Sequence, residues 1–265
     1  MSRTLRFMGW KKWACSFLIC PLIFSPQTLW ADDPLIKLLT EKSKAIVVIR
    51  SEIAGVLGSK PQPIVIPEKN TVALHQSIIP FRQASQGAGV FIHPSGVIVT
   101  NAHLLIQGAP INVMLFDKSI RQGTLVGLMP DEDLALIKIV PPFPLPYLQL
   151  ANSDKVKVRD KVYTIGSSVY SKNTLSEGII SGYAVKGQKG RPASKTQFIE
   201  ITFNLYHGDS GSPLLDKEGR LLGIMSGAAV NQNKRAYAVP SNNISKGFQI
   251  QLEKFETVLT SPKKE

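Results

Sequence analysis

Beyond residue 33, apolar positions along the chain recur mostly at strand-like rather than helical spacing. Ala45–Ile49 is a continuous β-branched run, and Gly89–Ile92, Val97–Thr100, Ile111–Phe116, Gly123–Leu128 and Leu134–Val140 follow it. A second series comprises Lys161–Ile165, Ser176–Ala184, Gln197–Thr202, Pro213–Leu215, Leu221–Ser226 and Ala236–Val239. Short apolar or β-branched runs bounded by turn residues read as strands. His93-Pro94-Ser95-Gly96 and Asp216-Lys217-Glu218-Gly219 are such turns. Between the two series, Pro141–Pro146 reads as a connector. Helical spacing occurs only at the ends: Leu35, Leu38 and Leu39 share a face in 34–44, and Ile244, Phe248 and Leu252 recur at four-residue steps over Asn243–Val258. From Gly55 to Gln86 the prolines at 61, 63, 67 and 80 predict irregular chain. The pattern predicts an all-β fold of about 200 residues in two halves.

The first 31 residues stand apart. Arg3, Arg6, Lys11 and Lys12 form a basic stretch without an acid, Trp13–Phe24 is apolar apart from Ser16 and Pro21, and Leu29-Trp30-Ala31 ends on a small residue. This is the layout of a secretory signal peptide over residues 1–31, with cleavage before Asp32. An uncleaved anchor is the rival reading, although a dozen apolar residues broken by a proline fall short of the ~18–20 needed to span a bilayer. Export to the periplasm or beyond the cell is therefore expected. Both cysteines, Cys15 and Cys20, lie in the leader and would leave with it.

The whole chain carries 31 basic and 19 acidic residues, a net charge of +12. Removing the four leader cations leaves 27 against 19, or +8. Charge of this size could suggest nucleic acid. The densest cluster, however, is Lys186, Lys189, Arg191 and Lys195 in loop composition, with no interleaved aromatics for bases to stack on. No nucleic-acid partner is expected. The four histidines are scattered and no cysteine follows residue 20, so neither a metal nor another cofactor is implied.

Three local sequences carry chemistry. Val99-Thr100-Asn101-Ala102-His103 runs a strand straight into a histidine. Asp133 opens the apolar run Leu134–Lys138, and Gly208-Asp209-Ser210-Gly211-Ser212-Pro213 sets a serine in a glycine-rich turn. A serine is a weak nucleophile until an imidazole takes its proton, and that imidazole needs a carboxylate to hold its tautomer. The order His, Asp, Ser separates this chain from subtilisin-like enzymes (Asp, His, Ser) and from α/β-hydrolases (Ser, acid, His). Asp131, directly after Pro130, reads as a turn residue. His75 and His93 fall in proline-containing loops, and His207 adjoins the serine.

On these residues the chain resembles the trypsin-like protease domain of the HtrA/Deg family of exported bacterial serine proteases. Gly87-Ala88-Gly89-Val90 leading to His103, the strand opened by Asp133, Glu177-Gly178-Ile179-Ile180-Ser181-Gly182 and Ala236-Tyr237-Ala238-Val239-Pro240-Ser241 are all similar to family segments. The serine turn departs from the family's usual GNSGG, its Ser212-Pro213 being similar to secreted glutamate-specific enzymes, and no room follows the last helix for the family's PDZ module. The resemblance implies two six-stranded antiparallel β-barrels of the chymotrypsin type, with a short N-terminal helix and a C-terminal helix. Expected boundaries are 32–145 for the barrel carrying His and Asp, 146–240 for the barrel carrying Ser, and 241–265 for the helix and tail.

The implied activity is that of a serine endopeptidase acting on unfolded or misfolded polypeptides, with homo-oligomers possible. His103, Asp133 and Ser210 would form the triad, and the N–H groups of Gly208 and Ser210 the oxyanion hole. Asn204, Leu205, Tyr206, Met225, Ser226, Gly227 and Ala228 would line the pocket for the side chain before the scissile bond. No charge sits among these, which predicts a small or medium apolar preference. The alternatives are a catalytically idle binder or chaperone of the same fold, and a glutamate-specific endopeptidase. The latter commonly carries a histidine in the strand after the nucleophile, where Gly223–Gly227 has none.

Overall fold

The computed structural model describes residues 33–58, 62–66, 71–75, 78–166, 174–185, 197–202, 209–228 and 235–260. Residues 1–31, the expected signal peptide, lie outside these. The first described element is α1 (Pro34–Lys42), whose start follows from its residues: Pro34 sits at N1, and the Asp33 carboxylate accepts from Leu35 N–H at 2.8 Å. Leu39, on the predicted apolar face, is buried.

Strands β1 (Ile46–Gly58), β4 (Ile78–His93), β5 (Val97–Thr100), β6 (Ile111–Met114), β7 (Ile120–Met129) and β8 (Leu134–Lys138) close into an antiparallel barrel in the order β1-β4-β5-β8-β7-β6. Strands β9 (Lys161–Gly166), β10 (Thr174–Val185), β11 (Gln197–Thr202), β12 (Pro213–Leu215), β13 (Leu221–Ala228) and β14 (Arg235–Pro240) close a second, ordered β10-β11-β14-β13-β12-β9. Every pair in both is antiparallel. The all-β fold of two six-stranded barrels is as expected. Val97–Thr100 is buried at every position, as befits a strand covered on both faces.

One expectation needs correction, and the C-terminal helix, present as expected, gains detail. The described residues within 55–86 are not irregular: β1 and β4 pair without a register break from Ile46↔Val90 out to Gly58↔Ile78, and β2 (Gln62–Ile66) pairs with β3 (Thr71–His75) beyond them. Proline is tolerated where a strand's N–H has no neighbour to serve. Pro80 lies in β4 where only β1 pairs with it, because β4's other neighbour, β5, pairs only within Val90–His93. The terminal helix is two, α2 (Ser241–Gly247) and α3 (Gln249–Thr260), divided at Phe248, whose φ of −114° and ψ of 21° leave the helical region.

The barrels share one core. The larger buried cluster joins Ile49, Val90, Phe91 and Leu136 of the first barrel to Tyr163, Leu215, Leu221 and Val239 of the second, and takes in Ile244 and Phe248 of the tail. A smaller cluster, including Ile199, Leu214 and Met225, fills the second barrel. The segment just after the connector bonds to both: Leu148 N–H donates to Phe91 O at 2.8 Å, and Ala151 N–H to Leu221 O at 2.9 Å.

Candidate active site

The site forms where strand ends of the first barrel meet the serine turn of the second. Strands β5 and β8 are neighbours, paired from Val97↔Lys138 to Thr100↔Ala135. The residues just past the end of one and just before the start of the other therefore face each other. These are Asn101–His103 and Asp133. After Thr100 the chain enters a 3₁₀ turn, Ala102–Leu104, which presents His103. Before β8 a second 3₁₀ turn, Pro130–Glu132, ends at Asp133 in the left-handed conformation (φ 57°, ψ 40°).

That placement pairs the two side chains. His103 Nδ1 lies 2.9 Å from both Asp133 carboxylate oxygens, and His103 backbone N–H donates to Oδ1 at 3.0 Å. Burial acts to raise the Asp133 pKa, but hydrogen bonds from His103 and Ser226 and the attraction of an imidazolium bring it below the usual carboxylate value. The carboxylate is thus ionised at neutral pH and can only accept. His103 Nδ1 must carry the hydrogen, which leaves the Nε2 lone pair of the neutral ring free to take a proton.

Ser226 arrives from the second barrel. Its Oγ–H donates to Asp133 Oδ2 at 2.5 Å. The register of β13 on β14 passes from Met225↔Ala238 to Gly227↔Tyr237, so Ser226 is the extra residue of a β-bulge. Bulges re-aim side chains, and here the hydroxyl is turned across the barrel junction. The sequence reading placed Ser226 among the pocket residues; nothing local in the sequence signals its bond to Asp133.

Ser210 sits in a turn held from both sides. Its carbonyl accepts from Ala88 N–H at 2.7 Å, in the first barrel, while Gly211 N–H donates to Met225 O at 2.8 Å, in the second. Gly211 has φ 85°, and a Cβ there would lie 1.9 Å from Ala88 O, so only glycine fits. Thr100 Oγ1 donates to the same Ala88 carbonyl at 2.6 Å, tying the serine turn to the strand that delivers His103. The structure therefore brings His103 and Asp133 into contact and docks the Ser210 turn on their barrel. Among the expected pocket residues, Met225 is buried beside the turn. Asn204, Leu205, Tyr206 and Gly208 lie outside the described residues, as does the side chain of Ala228.

A family model, the trypsin-like peptidase domain, matches residues 87–224. The chain belongs to the trypsin-like peptidases. That match covers just over half of it and spans all three of His103, Asp133 and Ser210. Similar proteins are of the HtrA kind. A relative from Chlamydia pneumoniae described as a probable periplasmic serine endoprotease, DegP-like, is 37% identical over 147 residues, covering 54% of this chain and 29% of its own length. The serine protease HTRA4 of Mus musculus is 34% identical over 142 residues, covering 53% and 29%. The chain thus spans under a third of the length of these two relatives. Among known structures, the HtrA-type protease AlgW with a decapeptide superposes with a TM-score of 0.65 at 25% identity, over 83% of this chain and 67% of that one.

Proposed function

We propose that this protein is an exported serine endopeptidase that hydrolyses peptide bonds in unfolded or misfolded polypeptides. One observation carries the reading: an ionised, half-buried Asp133 bonded to His103 Nδ1, beside a serine turn docked on the same barrel. In the mechanism, His103 Nε2 takes the Ser210 hydroxyl proton as the oxygen attacks the peptide carbonyl, then returns it to the leaving amine. Asp133 holds the ring's tautomer and stabilises the imidazolium that forms. The resulting ester at Ser210 is hydrolysed by water activated at the same nitrogen. The N–H groups of Gly208 and Ser210 would serve as the oxyanion hole.

The decapeptide in the AlgW structure supports a polypeptide as substrate, and the uncharged residues Met225 and Gly227 support an apolar side chain before the cut. Periplasmic relatives and the leader composition support export. Purified protein should degrade casein and label with a fluorophosphonate probe. Ser210→Ala and His103→Ala should each lose on the order of 10⁴ to 10⁶ in kcat while staying folded. Asp133→Asn should be severely impaired and Asp131→Asn should stay active. Casein left intact by a folded, unlabelled wild type would instead favour an idle binder.

A further inference from the structure

The backbone of Asp133 occupies a conformation that L-residues with a Cβ rarely adopt, and such geometry persists only where the surroundings over-determine it. Its own N–H donates to Pro130 O at 3.1 Å, closing the turn before it. Its carbonyl accepts twice: from Ala102 N–H at 3.2 Å, which continues the β5–β8 ladder, and from the Asn101 side-chain amide, Nδ2, at 3.1 Å. Asn101 is completely buried, and its Oδ1 finds no hydrogen-bond donor among the described residues.

A buried amide with an orphaned acceptor is costly, and an apolar side chain would occupy the site without that cost. What an apolar side chain could not do is hold the Asp133 carbonyl. The peptide joining Asp133 to Leu134 is where the chain leaves the left-handed residue and enters β8. Rotation of that peptide plane changes ψ of Asp133 and swings the carboxylate relative to His103. Ala102 N–H alone restrains it from one direction; Asn101 Nδ2 adds a second donor from a side chain locked in the core.

We infer that Asn101 is a positioning residue for the Asp133–His103 pair: its amide fixes the peptide plane after Asp133 and so keeps the carboxylate aimed at His103 Nδ1. The inference rests on the triad reading above. Asn101 touches neither substrate nor reacting atoms, and no proton passes through it.

The test uses the full ¹⁵N-labelled protein and reads the far-downfield proton resonance of His103 Nδ1–H that a carboxylate-bonded imidazole gives. Wild type and Ser210→Ala should both show it. Asn101→Ala should lose it or move it upfield, with kcat falling about 10²-fold and KM holding within about twofold. Asn101→Ser, too short to reach the carbonyl, should behave alike and guards against a folding failure of the first variant. In an Asp133→Asn background, Asn101→Ala should slow fluorophosphonate labelling no further, because a residue acting through Asp133 has nothing left to position. A folded Asn101 variant that keeps the resonance, or one whose labelling defect persists in the Asp133→Asn background, overturns the inference. So does a wild type that lacks the resonance altogether. A wild type that shows the resonance and loses it in Asn101→Ala, yet neither cleaves casein nor labels, sustains the positioning role and sinks the protease reading instead.

Discussion

The pKa of Asp133 decides how its hydrogen bonds can be read out. Because its folded-state value lies below that of the free carboxyl, near 3.9, the pair contributes stability fully above that pH. This contribution is lost as pH falls through the lower folded value. Ser226→Ala removes one of the donors that depress it, so the folded value should rise toward 3.9. A hydrogen bond to a charged group is worth about 1.5–3 kcal/mol, and the variant should be destabilised by about that amount at pH 7. The gap to wild type should close as pH falls below the folded-state value and the carboxyl is protonated in both proteins. Thermal melts across pH 2–7 check this; a gap that is constant with pH would mean that Ser226 acts by packing. Ser212 makes the opposite case: its buried Oγ has no hydrogen-bond partner among the described residues. Ser212→Ala should therefore leave activity unchanged and raise stability by up to about 1 kcal/mol, measured by urea denaturation. At this scale the sequence showed the three chemical residue types and their order. It did not show Asn101 or Ser226 as partners of Asp133, because one depends on a carbonyl aimed by left-handed geometry and the other on a bulge, and neither leaves a mark on local residue spacing.

Elements explain both what was legible and what was not. Strands such as Val97–Thr100 and Leu134–Lys138 were visible because they are buried on both faces and read as unbroken apolar runs. The β1–β4 arm was hidden because its prolines break the residue pattern without breaking the pairing, and its outer part is only half covered: Val56, Leu57 and Ile79 are each more than half exposed. The division of the terminal helix at Phe248 was hidden for the converse reason, since the four-residue apolar step runs unbroken across it. The serine turn is the element on which the site's assembly depends, because its backbone bonds reach into both barrels. Gly211→Ala should therefore cost more than an ordinary left-handed glycine substitution. The conformational penalty is about 1–2 kcal/mol, and the clash with Ala88 O adds to it by displacing the turn. A loss of about 3 kcal/mol or more is expected, together with loss of fluorophosphonate labelling even in the fraction that remains folded. Wild-type labelling in a folded Gly211→Ala protein would show that the turn reaches its geometry without the Ala88 contact.

At the scale of the molecule, the candidate site belongs to neither barrel, so its integrity depends on what holds the two together. The connector and the shared core do part of this, and the tail does the rest. Phe248, at the break between α2 and α3, is 1% exposed and leads the second barrel's C-terminus back onto the first. Its ring lies so close to Gly127 of β7 that a Cβ there would come within 2.7 Å of it. Gly247 packs more closely still on Met129 of the same strand. A cluster that joins both barrels and the tail predicts a single cooperative unfolding transition, since neither barrel can open without exposing surface the other covers. Phe248→Ala should cost about 3–5 kcal/mol and shift that one transition as a whole. Gly127→Ala should destabilise by forcing the ring outward, and adding Phe248→Leu should recover part of the loss, because a smaller side chain relieves the clash the new methyl creates. The two sites are in contact, so their effects should not add. Urea unfolding followed in parallel by circular dichroism and tyrosine fluorescence tests all of this. Two separated transitions, with Phe248→Ala moving only one of them, would show that the barrels unfold independently. The tail would then be an attachment to one barrel rather than the clasp that holds the Ser210 turn on the barrel carrying His103.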